Sequence, residues 1–593
     1  MKRLVSALLV VVAFTACKQA STNDNVKANE QFGKLCDQYY DGYLKLYPIS
    51  GTYAGYEQYN DQLPNDGSAA FLQSVKAFDQ QYLDSLATYD RSALNENDAL
   101  SYDVLKDQLE GSLEGLKFHF EYLPFNQMFA LPLTFVQLGS GTGAQPFKTV
   151  KDYDNWLKRV SAFTIWADTA VGNFRKGMKA GIVLPKSLAL KMYPQMLSMV
   201  VTDPKKSLFY GPIDSLPKSF SADDKKRITA DYTNAITKIL VPAYQKMGNF
   251  LKNEYLPKAS TTSGLSSLPG GSAMYTYLVK QQTTTNRTPE EIYQTGLKEV
   301  ARIRGLMDSV KNSTGFKGDL AAFFEYMKTD AKFTPYKTPA QVLAAFEEIH
   351  QRMKPNLEKM FSNVPKTPFE IRQTEAFRAA SASAEYNQGS ADGKRPGIFY
   401  VPILDAAKFN TTSGMESLFL HEAIPGHHYQ ISLTQENTAL PTFRRFGMHN
   451  AYVEGWALYC ESLGKELGLY TDPYQYMGAL GDEMHRAIRL VVDVAIHTKN
   501  MSREEAIKYM MANEPASEQY ATAEIERYMG IPAQALGYKT GAMKIRELRS
   551  KYEKELGSKF KIADFHQQVL KDGSLPLSVF EAKMDRWAAA VKN

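Results

Sequence analysis

Three of the nine histidines in this 593-residue chain lie within one eight-residue segment, His421–His428. Glu422 follows His421 directly, and His427 and His428 complete the cluster. Zinc hydrolases commonly build their site from a His-Glu pair and a second histidine on a helix. The neutral imidazoles hold the metal, and the glutamate takes a proton from the attacking water. The segment therefore predicts a Zn²⁺ site with His421 as a ligand and Glu422 as the catalytic base.

The spacing departs from the usual His-Glu-x-x-His pattern, because Pro425 occupies the position of the second histidine. A proline inside a helix removes a backbone hydrogen bond and clashes with the preceding turn. We therefore expect a kink or bulge between the two metal-binding histidines. His427 is the preferred second ligand. His428, near the face of His421 on a regular helix, stays the alternative ligand or an orienting partner. A purely structural kinked helix is the other interpretation.

A third ligand is expected downstream, since catalytic zinc keeps three protein ligands and one open position. Glu454 is the candidate, because its neighbours are apolar or aromatic on almost every side, as in a buried helix. A carboxylate in such a helix needs a metal, a cation or a proton. Glu461 lies two turns later on the same face and could orient a ligand. The alternative for Glu454 is a buried salt bridge.

Several helix starts that position these residues are predicted from capping patterns. Thr288, Thr338 and Ser502 each precede a Glu or Gln by three residues, which is typical of a capping box. Ser413 and Glu416 show the same pattern just before the histidine cluster. The helix that carries His421 is therefore expected to begin at Ser413.

Four polar residues share one face of an otherwise apolar helix, because they recur at three- and four-residue steps: Arg486, Arg489, Asp493 and His497. Such a stripe either lines a cleft or is held in buried pairs. Arg489 could bind a substrate carboxylate in a forked geometry. For Asp493 and His497, internal pairing is at least as well supported.

The segments His421–His428 and Glu454–Tyr459 resemble the marks HEAxPGHH and EGWALY of the bacterial family called domain of unknown function 885. The resemblance covers nearly the whole mature chain and includes the following further segments: Tyr47–Tyr56, Glu254–Pro257, Leu268–Gly271, Arg395–Tyr400, Arg489–His497 and Pro532–Lys539. A small departure is Ala533, where the family pattern has glycine.

This family is more distantly similar to helical metallopeptidases of the thimet oligopeptidase, angiotensin-converting enzyme and Taq carboxypeptidase type. The resemblance therefore implies a mainly α, two-lobed metallopeptidase-like fold around a deep cleft, with a small β-sheet beside the active-site helix. In those peptidases, an edge strand before the active helix pairs with the substrate backbone. Gly397–Leu404 is rich in β-formers, and Pro402 suits an edge strand. Phe399 and Tyr400 are thus candidate substrate contacts, and a purely structural hairpin is the alternative.

The resemblance also implies a donor across from the metal that stabilises the oxyanion. Tyr538 is the candidate, Tyr528 is the runner-up, and a packing role is the alternative for both. The resemblance leaves the substrate open. Together with the metal-binding pattern and the start of the chain, it favours zinc-dependent hydrolysis of oligopeptides at the cell envelope. The alternatives are metal-dependent hydrolysis of another amide or ester, and a non-catalytic binding lipoprotein with the same fold.

The start of the chain has the features of an exported protein. A short basic region precedes an apolar stretch of signal-peptide length, too short to span a membrane as a mature helix. Phe14–Cys17 resembles a bacterial lipobox, so residues 1–17 are expected to form a lipoprotein signal ending at a lipidated Cys17. Residues 18–31 would form a flexible tether to the membrane, on the periplasmic or surface side. An ordinary cleaved signal peptide is the alternative.

The composition is that of a folded globular protein, with 44% hydrophobic and 22% charged residues. The net charge of +5 is modest for this length and the basic residues form no run, so nucleic-acid binding is not expected. Cys36 and Cys460 are too few for a disulfide framework, although pairing between them stays open. A Ser/Thr/Gly-rich stretch suggests a helical part at residues 32–285 and a metal-bearing helical part at 286–593, which could form one continuous fold.

Overall fold

The computed structural model describes residues 27–375, 379, 383–390 and 395–592. Helices make up 69% of the structure and strands 3%, which confirms the mainly helical prediction. Cys17 and the signal segment lie outside the described residues. Of the predicted tether, Glu30 already begins a helix. No helix among the described residues is long and apolar enough to span a membrane.

The helices before residue 286 have the following bounds: Glu30–Leu46, Pro48–Tyr53, Ala69–Leu86, Glu96–Gly115, Leu131–Gly139, Val150–Ala180, Lys186–Leu197, Gly211–Asp214, Ala222–Ala235, Val241–Phe250 and Gly271–Thr283. Those after it are Pro289–Ser313, Leu320–Thr329, Pro339–Met360, Met415–Glu422, His427–Glu436, Thr442–Phe446, Asn450–Glu461, Pro473–Thr498, Arg503–Asn513, Glu518–Gly530, Leu536–Leu556, Ile562–Leu570 and Leu577–Lys592. The capping boxes predicted at Thr288, Thr338 and Ser502 are confirmed.

A small sheet consists of β1 (Phe369–Gln373), β2 (Glu385–Asn387) and β3 (Gly397–Val401) in the order β1-β3-β2. β3 is parallel to β1 and antiparallel to β2, so it is the central strand. The prediction of an edge strand at Gly397–Leu404 is therefore wrong. Pro402 lies just beyond the end of β3, where its missing N–H does not interrupt the ladder. With both sides paired, β3 cannot also pair with a substrate backbone.

Phe399 in β3 has no exposed surface. Its ring packs edge-on against Phe346 and Phe419 of two flanking helices. The predicted substrate contact of Phe399 is therefore contradicted, because side chains alternate along a strand and this one enters the core. Tyr400, which belongs to the other face of β3, is half-buried, and its substrate contact stays a prediction.

The largest hydrophobic core joins residues from both ends of the chain. It includes Phe32 and Leu109 together with Val342 and Ala588, so the first helices pack on the metal-bearing part. A second core lies wholly within residues 63–255. The division at residue 285 stays a prediction, and the first of these cores crosses it. Cys36 and Cys460 are both buried and free.

The helix Asn450–Glu461, which carries Glu454, packs very closely on Leu536–Leu556. A Cβ at Gly541 would lie 1.8 Å from the carbonyl oxygen of Ala451, and one at Gly455 would lie 2.5 Å from the Cα of Gly541. Only glycines allow two helix backbones to approach to this distance. The position of Glu454 therefore depends on this contact.

Replacing Gly541 with alanine should lower the free energy of unfolding by roughly 3 kcal/mol, because the added methyl overlaps a backbone carbonyl. The matched control is Gly172→Ala inside Val150–Ala180, where nothing lies within 4 Å of the added Cβ. The control should raise stability by about 0.5–1 kcal/mol, the usual helical preference for alanine. Urea unfolding followed by circular dichroism measures both. Equal changes in the two variants would contradict a rigid contact at Gly541.

Candidate metal centre

Two short helices carry the clustered histidines. We name them the His421 helix (Met415–Glu422) and the His427 helix (His427–Glu436). The predicted kink is present as a complete break between them, and the Ile424–Pro425 peptide bond within it is cis. A Cβ at Gly426 would lie 1.9 Å from the carbonyl oxygen of His421, so the chain can turn here only at a glycine.

The His421 helix begins differently from the prediction. Gly414, in the left-handed region with φ +78°, precedes its first residue, and the hydroxyl of Ser413 donates to a nearby backbone carbonyl. The Glu416 carboxylate accepts from Arg352 Nη2 at 2.6 Å and from the backbone N–H of Tyr470 at 2.7 Å. The predicted Ser413–Glu416 capping box is therefore wrong, because both side chains have other partners.

His421, His427 and Glu454 come together at this break. Glu454 projects from Asn450–Glu461, which we name the Glu454 helix. The Nε2 atoms of His421 and His427 each lie 3.6 Å from Oε2 of Glu454. Ligand-type atoms of all three residues lie within 4.8 Å of one another. Bonds of about 2.1 Å to a tetrahedral ion separate two ligand atoms by about 3.4 Å, so the group could hold a metal ion.

The hydrogen bonding of this group also fits an ion. Among the described residues, Oε2 of Glu454 is buried without a hydrogen-bond partner, as is Nδ1 of His427. A buried carboxylate oxygen without a donor is costly, and a cation at that position would remove the cost. The side chain of Glu454 is 21% exposed and that of His421 is 6% exposed, so solvent reaches the group mainly beside Glu454.

Glu461 orients the first histidine. Its Oε1 lies 2.7 Å from Nδ1 of His421, which as an N–H donates to it. This bond fixes the tautomer and leaves Nε2, on the side of Glu454, free to bind a metal.

The pKa values of His427 and Glu454 match the protonation states that bind metal, whereas that of His421 is shifted the other way. Burial lowers the pKa of His427 to about 4, so its ring is neutral at neutral pH. Burial opposes ionisation of Glu454, but its interaction with His421 and the charges of both histidines lower its pKa to about 2. Burial also opposes protonation of His421, yet Glu454 and Glu461 raise its pKa well above the ordinary value. The extra proton of His421 would lie on Nε2 and face Glu454, so an ion that binds there would have to displace it.

Glu422 lies beside this group on the last turn of the His421 helix. Its Oε2 accepts from the backbone N–H of Tyr386 in β2 at 2.9 Å. Burial, together with the charge of Glu454, raises the pKa of Glu422 to about 7, although the charge of His421 opposes the shift. A carboxyl with this pKa can both accept and return a proton near neutral pH.

The side chain of His428 does not join His421, His427 and Glu454, but contacts Tyr386, Ser432 and Phe369. Its Nδ1 lies 3.0 Å from the hydroxyl of Tyr386 and 3.4 Å from that of Ser432. Its ring packs on Phe369 of β1 at 4.9 Å between centroids. The structure brings His427, and not His428, to Glu454. Tyr386, which bonds both Glu422 and His428, was missed by the sequence analysis, because no pattern distinguishes it among 35 tyrosines.

The four polar residues predicted to share a face of the helix Pro473–Thr498 make different kinds of contact. Asp493 accepts from the hydroxyl of Tyr275 at 2.6 Å. His497 accepts from the backbone N–H of Leu265 at 3.1 Å, and its Nε2 lies 3.1 Å from the carbonyl oxygen of Tyr528. Asp493 and His497 therefore hold segments together, as the pairing alternative predicted.

The two arginines on this face, Arg486 and Arg489, differ in how many of their donors are already hydrogen-bonded. Arg489 donates to the hydroxyl of Tyr528 and to Glu524, both at 3.0 Å, so these donors are not free for a substrate carboxylate. Nη1 of Arg486 donates to the backbone carbonyl of Asp482 at 3.3 Å, and its Nε is buried without a partner among the described residues. Nη1 of Arg486 also lies 3.6 Å from Oδ1 of Asp482, and the charge of Arg486 contributes to the lowered pKa of Glu454.

The two candidate tyrosines also differ. The Tyr528 ring is fully buried and its hydroxyl donates to Glu524 at 2.6 Å. Tyr538 is half-buried, and the Arg489 guanidinium lies 4.8 Å from its ring centroid. The Tyr538 hydroxyl has no hydrogen-bond partner among the residues that the structure describes. Of the two, Tyr538 therefore has the hydroxyl that is available to a ligand.

Solved structures from two bacteria share this fold. "The putative lipoprotein from Colwellia psychrerythraea" is 26% identical, with a TM-score of 0.84 over 95% of this chain and 99% of that one. A protein of the same description from Shewanella oneidensis, of unknown function, is 18% identical, with a TM-score of 0.73 over 93% and 99% of the two chains. A Pyrococcus furiosus carboxypeptidase is 10% identical, with a TM-score of 0.39 over 96% and 100% of the two chains.

No curated protein matches this chain significantly. The sequence model described as "bacterial protein of unknown function (DUF885)" matches residues 48–584, which confirms the resemblance seen in the two motifs. The chain belongs to this bacterial family of unknown function.

Proposed function

We propose that this protein is a zinc-dependent peptidase that hydrolyses oligopeptides. The observation that carries the proposal is the convergence of His421 Nε2 and His427 Nε2 on Glu454 Oε2, each at 3.6 Å. This donor set of two imidazoles and one carboxylate, with a glutamate directly after the first histidine, is typical of hydrolytic zinc sites.

In this proposal, the residues of the centre have separate roles in metal binding, ligand orientation and proton transfer. His421, His427 and Glu454 would hold the ion, with Glu461 fixing the orientation of His421. When bound, Zn²⁺ supplies Lewis acidity that polarises the scissile carbonyl and acidifies a water. Glu422, held by the Tyr386 N–H, takes a proton from the attacking water and returns it to the leaving amine.

We also propose that the protein is exported and anchored to the cell envelope through a lipid on Cys17. The lipobox-like Phe14–Cys17 supports this location. So do the two bacterial proteins of the same fold, each of which is described as a "putative lipoprotein". The peptides available to the enzyme would then be those of the envelope.

Metal analysis of protein without residues 1–17 tests the proposed site. After equilibration with zinc and removal of the excess, about one zinc per chain is expected, since one open-sided group of three ligands is present. The His421→Ala, Glu454→Ala double variant should lose it, because only one ligand remains. His119→Ala, at an exposed histidine outside the group, is the control and should keep it. Failure of the unmodified protein to take up zinc would overturn the proposal.

A further inference from the structure

A cavity of about 600 Å³ is lined in part by Gln435 of the His427 helix. Two further wall residues, Gln388 and Met448, adjoin other elements of the centre in sequence. Gln435 is on the His427 helix, eight residues or about 12 Å beyond His427. Gln388 follows β2 directly, two residues after Tyr386, and Met448 precedes the start of the Glu454 helix. The His427 helix therefore connects the cavity wall to the centre, and Gln435 and His427 are about 12 Å apart along its axis.

Much of the cavity wall is aromatic. Tyr39, Tyr43 and Tyr47 recur at four-residue steps on or just after Glu30–Leu46, and Tyr40 adjoins Tyr39, so the four lie toward one side of that helix. The rings of Tyr40 and Tyr43 are stacked, with centroids 6.4 Å apart, and those of Tyr43 and Tyr47 are 4.9 Å apart. Tyr53, Phe78, Phe443 and Phe446 extend this wall. The cavity thus offers several flat apolar faces.

Polar groups without partners accompany the aromatic faces. Among the described residues, no hydrogen-bond partner is found for the hydroxyls of the four helix-face tyrosines or for the side-chain amides of Gln108, Gln388 and Gln435. None of these atoms is sealed from solvent, and the residues that carry them line the cavity. The wall therefore presents both donors and acceptors that a ligand can satisfy.

The wall is nearly free of charge. Its described residues include no lysine, arginine or histidine, which disfavours a phosphate or carboxylate ligand. The single acid is Asp79, whose Oδ2 accepts from the hydroxyl of Ser112 at 2.6 Å. Burial raises the pKa of Asp79 to about 6, so its charge is weakly held. These properties favour an uncharged ligand with many hydroxyl or amide groups.

We propose that this cavity is a sugar subsite, which binds one or two neutral hexose rings carried by a peptide that the metal centre cleaves. Tyrosine rings can stack on the apolar faces of a sugar, while amides and hydroxyls bond its hydroxyl groups. The volume fits within the range of small-molecule sites and exceeds that of a single side chain. The preferred substrates are then glycopeptides. This inference rests on the proposed peptidase function for cleavage, but sugar binding itself needs no turnover.

Calorimetric titration of the zinc-loaded protein with N,N′-diacetylchitobiose, a neutral disaccharide, tests the subsite. We expect saturable binding that Tyr43→Ala weakens by at least about tenfold, because it removes a stacking face and a hydroxyl. Tyr193→Ala, at a half-buried tyrosine outside this cavity, is the matched control and should leave the affinity unchanged. Gln388→Ala provides a second variant if Tyr43→Ala does not fold, and it should weaken binding as well.

Absence of disaccharide binding, or equal weakening in Tyr193→Ala, would overturn the subsite. So would tighter binding of a lysine-rich peptide that Asp79→Asn abolishes, because the cavity would then be a cation site. Disaccharide binding without hydrolysis of any peptide would contradict only the peptidase function. Peptide hydrolysis without disaccharide binding would contradict only the sugar subsite.

Discussion

Replacing Glu422 with glutamine should reduce kcat for peptide hydrolysis by about 10³- to 10⁴-fold while the zinc content stays at one per chain. Glutamine has nearly the same shape and can still accept the hydrogen bond from the Tyr386 N–H. It cannot accept a proton from the attacking water. Rates with fluorogenic oligopeptides and metal analysis of the same samples measure the two quantities separately.

Glu416→Gln is the matched control, because Glu416 is a buried glutamate on the same His421 helix. Its carboxylate bonds Arg352 and Tyr470, so this change should lower stability and leave kcat of the folded protein near the unmodified value. Full activity of Glu422→Gln would exclude Glu422 as the base. If Glu422→Gln lost zinc as well as activity, Glu422 would instead be a residue that stabilises the metal site.

Features that depend on a few neighbouring residues could be predicted from the sequence. The capping boxes at Thr288, Thr338 and Ser502 formed because each cap needs only a partner three residues away. The break at Pro425 followed from the local effect of proline on a helix. The identical pattern at Ser413 failed, because partners distant in the chain hold the glutamate of that pair.

Features that depend on distant partners could not be predicted in the same way. The central place of β3 in the sheet depends on β1 and β2, which carry no strong strand pattern. The engagement of Arg489 depends on Glu524 and Tyr528 of a later helix. Burial of Glu454 was predictable from its apolar neighbours, but its convergence with the two histidines required the helix contact at Gly541.

Replacing Tyr538 with phenylalanine should lower kcat by about 10²- to 10³-fold with little change in KM. The hydroxyl has no partner among the described residues, so its removal costs no existing hydrogen bond in the free protein. The ring remains against the Arg489 guanidinium, which holds it at 4.8 Å. A donor that acts only when charge develops on the substrate oxygen affects the transition state more than substrate binding. Steady-state kinetics of the zinc-loaded variant separate kcat from KM.

Tyr528→Phe removes the same atom from a hydroxyl that is already bonded to Glu524 and Arg489. It leaves a buried carboxylate and guanidinium with one partner fewer, so it should reduce stability by about 1–3 kcal/mol and change kcat little. Comparison of Tyr538→Phe with Tyr528→Phe thus distinguishes the loss of a hydroxyl that is free to bind substrate from the loss of one that is hydrogen-bonded in the core. A rise in KM without a fall in kcat for Tyr538→Phe would make Tyr538 a substrate-binding residue. A large fall in kcat for Tyr528→Phe alone would instead assign the oxyanion donor to Tyr528. Its hydrogen bonds to Glu524 and Arg489 would then have to open when substrate binds.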